Sequence, residues 1–92
     1  MIKSFIHKGL KDFFYKGTKK GINPKHKDKL SDILDMLDAA SEVKDMNYPG
    51  SDLHLLSPKK DKIYAVSVSG AWRITFRIKE GNVYIIDYKN YH

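Results

Sequence analysis

The hydrophobic period of this 92-residue chain changes once, at Pro49-Gly50, and that change decides what it can fold into. Before the turn, apolar residues recur three and four apart, the spacing of a helix face; after it they alternate, the spacing of a strand. Ile6, Leu10, Phe13 and Phe14 make the first helical set, and Gly17 stands where a left-handed C-cap would close it. Asn23 as N-cap and Pro24 in the first turn open a second helix with the stripe Leu30, Ile33, Leu34 and Leu37. Asp32, Asp35 and Asp38 fall largely off that stripe, toward solvent. Between the two helices, Gly17-Thr18-Lys19-Lys20-Gly21 reads as a basic, glycine-bounded loop. Ile2, Ser4 and Phe5 either begin a short edge strand or lead into the first helix.

After the turn, residues 53–56 form a short apolar run around His54, and residues 63–68 are β-branched and aromatic. Ser69-Gly70 turns the chain into Trp72, Ile74, Phe76 and Ile78, which alternate with Arg73, Thr75, Arg77 and Lys79. That is a strand with one apolar and one largely cationic face. Glu80-Gly81-Asn82 turns the chain again, into a mostly apolar strand over residues 83–88. Two helices followed by a three- or four-stranded meander make an α+β fold, a single domain over residues 1–92. Both helices are expected on one face of a small, mostly antiparallel sheet. The other face is expected to be concave and polar and to carry Arg73.

The absence of cysteine removes disulfide and thiolate chemistry and suits a reducing compartment. No apolar run approaches the roughly 20 residues of a membrane span, and the N-terminus lacks a signal peptide's apolar region, so the chain reads as cytoplasmic. Net charge is +6 and unevenly spread: residues 1–30 hold nine lysines against two aspartates, residues 31–60 three lysines against six acids. A basic first third suggests a face for a polyanion, although a solvated, lysine-rich surface fits the same numbers.

RNA carries its own nucleophile, the 2′-OH, beside each phosphate. An enzyme that cuts it needs a base near that hydroxyl, a cation over the phosphate and an acid near the leaving 5′-oxygen. This chain offers His54, Arg73, Tyr91 and His92, with Lys59 and Lys60 nearby in sequence. Histidine suits the proton transfers because its reference pKa, about 6.5, lies near neutrality. Each candidate also has a plainer reading: His54 as a structural residue in an apolar run, Arg73 as an exposed strand residue, Lys59-Lys60 as a solvated loop pair. His7 and His26, set among lysines, read as surface residues. No His/Asp/Glu spacing resembles a metal site, and no cofactor motif is present.

Several stretches together are similar to one family. Met1-Ile2-Lys3-Ser4-Phe5 followed by His7-Lys8-Gly9-Leu10, and Leu37-Asp38-Ala39-Ala40, resemble segments of HigB toxins, members of the RelE-like superfamily. Leu53-His54-Leu55-Leu56 resembles the family's Leu-His-Pro-Leu strand. Residues 68–76, Val-Ser-Gly-Ala-Trp-Arg-Ile-Thr-Phe, match its Val-x-x-x-Trp-Arg-Ile-x-Phe strand pair, and Tyr91-His92 matches its Tyr-His ending. The resemblance implies a RelE-like fold, cleavage of mRNA in the A site of the 70S ribosome, and neutralisation by a HigA-type helix-turn-helix antitoxin. By matched position, His54 and His92 share acid/base work, Tyr91 positions the RNA, and Arg73 stabilises phosphorane-like charge. Lys8, Lys11, Lys16, Lys19 and Lys20, with Lys25, Lys27 and Lys29, are the expected contacts to ribosomal RNA; Lys59, Lys60 and Asn90 are further contacts. Two positions depart from the pattern. Asn90 stands where the family commonly has Asp, and an amide takes no proton at neutral pH. Ser57 stands where relatives place a Lys, a charge that Lys59 or Lys60 would supply.

Two other functions fit the same scaffold class: a non-catalytic inhibitor of DNA gyrase, as in ParE toxins, and a simple basic nucleic-acid-binding module. Neither needs His54, Tyr91 and His92 together, and fold alone does not decide between them.

Overall fold

The computed structural model describes residues 1–58 and 62–91. Helix α1, Lys8–Lys16, is held at both ends. His7 Nδ1 accepts the Leu10 N–H at 2.9 Å, and Gly17, left-handed at φ 75, donates its own N–H to the Phe13 carbonyl. Two expectations change here. Ile6 lies before the helix and is exposed, and His7 is its cap rather than an idle surface group. Asn23 Oδ1 accepts the Lys25 N–H at 3.0 Å and opens a 3₁₀ turn, Pro24–His26, which runs into helix α2, Lys27–Ala39.

The loop between the helices crosses α1 backbone to backbone. A Cβ placed on Gly21 would lie 2.4 Å from the Gly9 Cα, and one placed on Gly9 would lie 2.4 Å from the Gly21 carbonyl oxygen. Both positions therefore need glycine for space, not for conformational freedom.

Four antiparallel strands follow in sequence order: β1 (His54–Ser57), β2 (Ile63–Ser69), β3 (Trp72–Lys79) and β4 (Asn82–Asn90). The β3–β4 turn places Glu80 and Gly81 at φ 52 and 77, the pair of positive values that a two-residue type I′ hairpin requires. The N-terminal residues take the edge-strand alternative: Ile2 and Phe5 bridge in parallel to Val83 and Ile86, so this half of β4 is flanked on both sides. Asp38, expected only to face solvent, accepts the Ile2 N–H at 2.9 Å and ties this segment to α2.

Strand β4 does not alternate evenly. Thr75 faces Asp87 across the ladder, but Arg77 faces Tyr84, so two steps on β3 meet three on β4. The extra residue is accommodated around Ile85, left-handed at φ 51, whose N–H donates to Ser4 Oγ at 2.8 Å. Val83, Ile86 and Tyr88 consequently all point at the helices and join one core. With them pack Leu10 of α1, Leu30, Ile33, Leu34 and Leu37 of α2, and Val66, Val68, Ile74 and Phe76 of the sheet.

His26 corrects the surface reading made for it: only 7% of it is exposed, and its Nδ1 lies 2.6 Å from the Tyr88 hydroxyl. Trp72 stacks on Tyr88 at 4.6 Å between ring centroids, closing an aromatic group behind the last turn of the sheet.

Candidate active site

The sheet face turned away from the helices is fixed by register. Directly opposed residues in an antiparallel ladder share a face. His54 faces Ala65, Ala65 faces Thr75, and Thr75 faces Asp87, so these four cross the sheet in one row. The adjacent row is Ser67, Arg73 and Lys89. Ile74 and Phe76, with the opposite parity on β3, are fully buried in the core, so both rows lie on the open side.

On that side a cavity of about 400 Å³ is lined by Asp52, His54, Leu56, Ala65, Arg73 and Tyr91. Three expected site residues thus meet, from β1, from β3 and from just beyond β4. The fully buried Ala65 leaves room between His54 and the central strand.

Each side chain is held from behind. Asp52, left-handed at φ 48, turns its carbonyl toward His54, and His54 Nδ1 lies 2.8 Å from that oxygen. A carbonyl only accepts, so Nδ1 carries the proton and Nε2 keeps its lone pair in the neutral ring. Arg73 donates from Nη1 to the Gly70 and Trp72 carbonyls, the latter at 2.9 Å. These bonds anchor the guanidinium to the β2–β3 hairpin, and among the described residues no other hydrogen bond takes its remaining donors, which suit an anion. Tyr91 donates its backbone N–H to the Ala71 carbonyl at 2.8 Å, and its side chain remains well exposed.

The other expected residues stand elsewhere. Asn90 faces Trp72 across the ladder, on the side away from Arg73. Lys8, Lys11 and Lys16 lie on α1 in the helical layer, where Lys8 and Lys16 flank Asp12 at 3.2 and 3.9 Å. The Lys8 ammonium is the chief reason the Asp12 carboxyl is held below the ordinary aspartate range. Lys19 and Lys20 sit on the loop that crosses α1, and Lys59, Lys60 and His92 lie outside the described residues. Sequence reading missed Asp52, whose contribution is a backbone carbonyl, and Lys89, whose face depends on the bulge. Among the described residues no helix is long and apolar enough to cross a membrane.

Comparison with known proteins identifies the family. A family model described as the HigB-like toxin, a RelE-like toxin of the type II toxin–antitoxin system HigB, matches residues 3–92. The chain is 39% identical over 92 residues to a protein named endoribonuclease HigB from Proteus vulgaris, with the whole of both chains covered. An α+β fold with two helices over one face of an antiparallel sheet, an open polar face opposite, and a match along almost the full length lead to one assignment: the chain belongs to the HigB-like, RelE-like toxins of type II toxin–antitoxin systems.

Proposed function

We propose that this toxin is an endoribonuclease that cuts mRNA in the ribosomal A site, using the open face of the sheet. The observation that carries the reading is the meeting of His54, Arg73 and Tyr91 around one cavity. In the reaction, neutral His54 takes the 2′-OH proton at Nε2 as the 2′-oxygen attacks the adjacent phosphorus. Arg73 stabilises the charge gathering on the phosphoryl oxygens. The 5′-oxygen leaves with a proton from the second acid/base group, His92, giving a 2′,3′-cyclic phosphate and a 5′-hydroxyl. Tyr91 offers an exposed ring against which a base can stack.

So few groups make a catalyst only when the RNA is held in a reactive geometry, and the ribosome supplies that positioning. The lysines of the helical layer face away from the cavity and suit phosphates of ribosomal RNA while the sheet takes the message. Membership of a type II system implies an antitoxin partner, for which a HigA-type helix-turn-helix protein is the natural candidate. The site of action is the cytoplasm, on the 70S ribosome.

Single-turnover cleavage on programmed ribosomes tests the mechanism. His54→Ala, His92→Ala and Arg73→Ala should each lose about 10²–10⁴-fold in rate with the fold intact by circular dichroism. Wild-type rates from both histidine variants would sink it. Selective cleavage of naked RNA, unchanged by adding ribosomes, would overturn the ribosome dependence.

A further inference from the structure

We infer that Lys89 is a second phosphate-binding residue of the open face, paired with Arg73 and holding an RNA phosphate next to the one that reacts. The inference rests on the reading of this face as the RNA site. Lys89 stands directly opposite Arg73 in the β3–β4 ladder, on the same face. Opposed residues in such a pair have Cβ atoms about 4.5–5.5 Å apart, and like charges there disfavour the fold. Two cations at opposed positions are therefore costly to the empty protein and favourable once a polyanion lies across them.

The surroundings of Lys89 fit that use. Its ammonium is 3.5 Å from Asp87 Oδ2, and about half of the lysine side chain is exposed while the carboxylate is nearly covered. Asp87 is held from the other side as well, its Oδ1 accepting the Tyr88 N–H at 2.9 Å. The carboxylate is thus held on two sides, and the lysine rests on it with about half its side chain in solvent. The ammonium can therefore reach outward to a phosphate while the carboxylate stays held by the Tyr88 N–H. Ser67, in the same row on the far side of Arg73, adds a hydroxyl to the line. The row Ser67, Arg73, Lys89 runs across three strands and gives a single-stranded backbone a track beside the His54 cavity.

The test uses the full chain and a single-stranded RNA oligonucleotide blocked at every 2′-position with O-methyl groups, so that it binds without being cut. Affinity is followed by fluorescence anisotropy over a range of salt. Lys89→Gln should weaken binding about tenfold at low salt and lower the slope of log affinity against log salt by about 0.7. Lys89→Arg, which keeps the charge above Asp87, should restore both and controls for any loss of folding in the glutamine variant. Wild-type affinity and slope in Lys89→Gln would overturn the inference, as would failure of Lys89→Arg to restore either. Arg73→Ala separates the two levels of argument. Loss of binding in Arg73→Ala, with none in Lys89→Gln, rejects Lys89 alone. Where the free protein does not bind the oligonucleotide, the same variants are read on ribosomes programmed with the 2′-O-methylated message; no effect of either variant there rejects the open face as the RNA site and the inference with it.

Discussion

Nδ1 of His26 lies 2.6 Å from the Tyr88 hydroxyl, joining the turn that opens α2 to the end of β4 across 62 residues of sequence. Both side chains are buried, and Trp72 stacks on the tyrosine. Arg73 and Lys89, the chain neighbours of Trp72 and Tyr88, point the opposite way, so this bond steadies the site from behind. Tyr88→Phe leaves the His26 nitrogen buried without its partner and should cost about 1–2 kcal/mol in chemical denaturation. An unchanged midpoint would show that the bond adds nothing.

Close approach of Gly9 and Gly21 makes a second prediction. A methyl group at residue 21 meets backbone at 2.4 Å, and backbone has no rotamer with which to yield. Gly21→Ala should destabilise by about 1–3 kcal/mol, the usual cost of overpacking. Gly50, with nothing within 4 Å of an added Cβ, is the contrasting site. Gly50→Ala should cost less, through its φ of 85 alone. Equal losses in thermal melts would refute the steric account.

Tyr48 gives a third. Its hydroxyl is buried and has no hydrogen-bond partner among the described residues, while Lys29 Nζ lies 5.5 Å from the ring centroid. Tyr48→Phe keeps the ring and removes the unpaired oxygen, so stability should hold or rise by up to about 1 kcal/mol. Burial also pushes the Tyr48 hydroxyl, and that of Tyr88, above the ordinary tyrosine range. A phenol whose folded pKa is raised contributes stability that is whole below its unfolded value of about 10 and is lost as pH climbs through the folded value. Urea midpoints should therefore fall above about pH 10, less steeply in Tyr48→Phe. A flat profile to pH 11.5 would contradict this.

Ribosome attachment is the fourth. Exchanging Lys11, Lys19 and Lys20 for Gln, all outside the cavity, should weaken ribosome binding and flatten its salt dependence without changing which codons are cut. Altered codon choice at unchanged affinity, read from mapped mRNA ends, would show that these lysines do not serve as phosphate contacts. Asn90→Asp, which restores the usual family residue, should preserve or raise cleavage in the same assay.

Local rules carried the sequence reading where local forces decide the structure. The α2 stripe was legible because its helical period and the Asn23-Pro24 start agree. Arg73 was assigned to the right face because β3 alternates evenly from Trp72 to Phe76. His26 was not legible: lysines flank it in sequence, and what buries it is an aromatic group contributed by residues 72 and 88. The meeting of His54 with Arg73 needed the strand order, which comes from tertiary pairing. Lys89 was hidden for a different reason, since even alternation from Val83 puts residue 89 in the core.

Ile85 is a phase boundary: the residues before it pair with Arg77, Ile78 and Lys79 of β3, and those after it with residues 72–75 in the opposite phase. Flattening the step without removing a residue would turn the second half of the strand inside out, offering Tyr88 to solvent and driving Lys89 and Tyr91 at the hydrophobic layer. The toxin's working surface thus hangs on a single uneven step, and a frame of odd and even positions read from either end gives the wrong answer for the other.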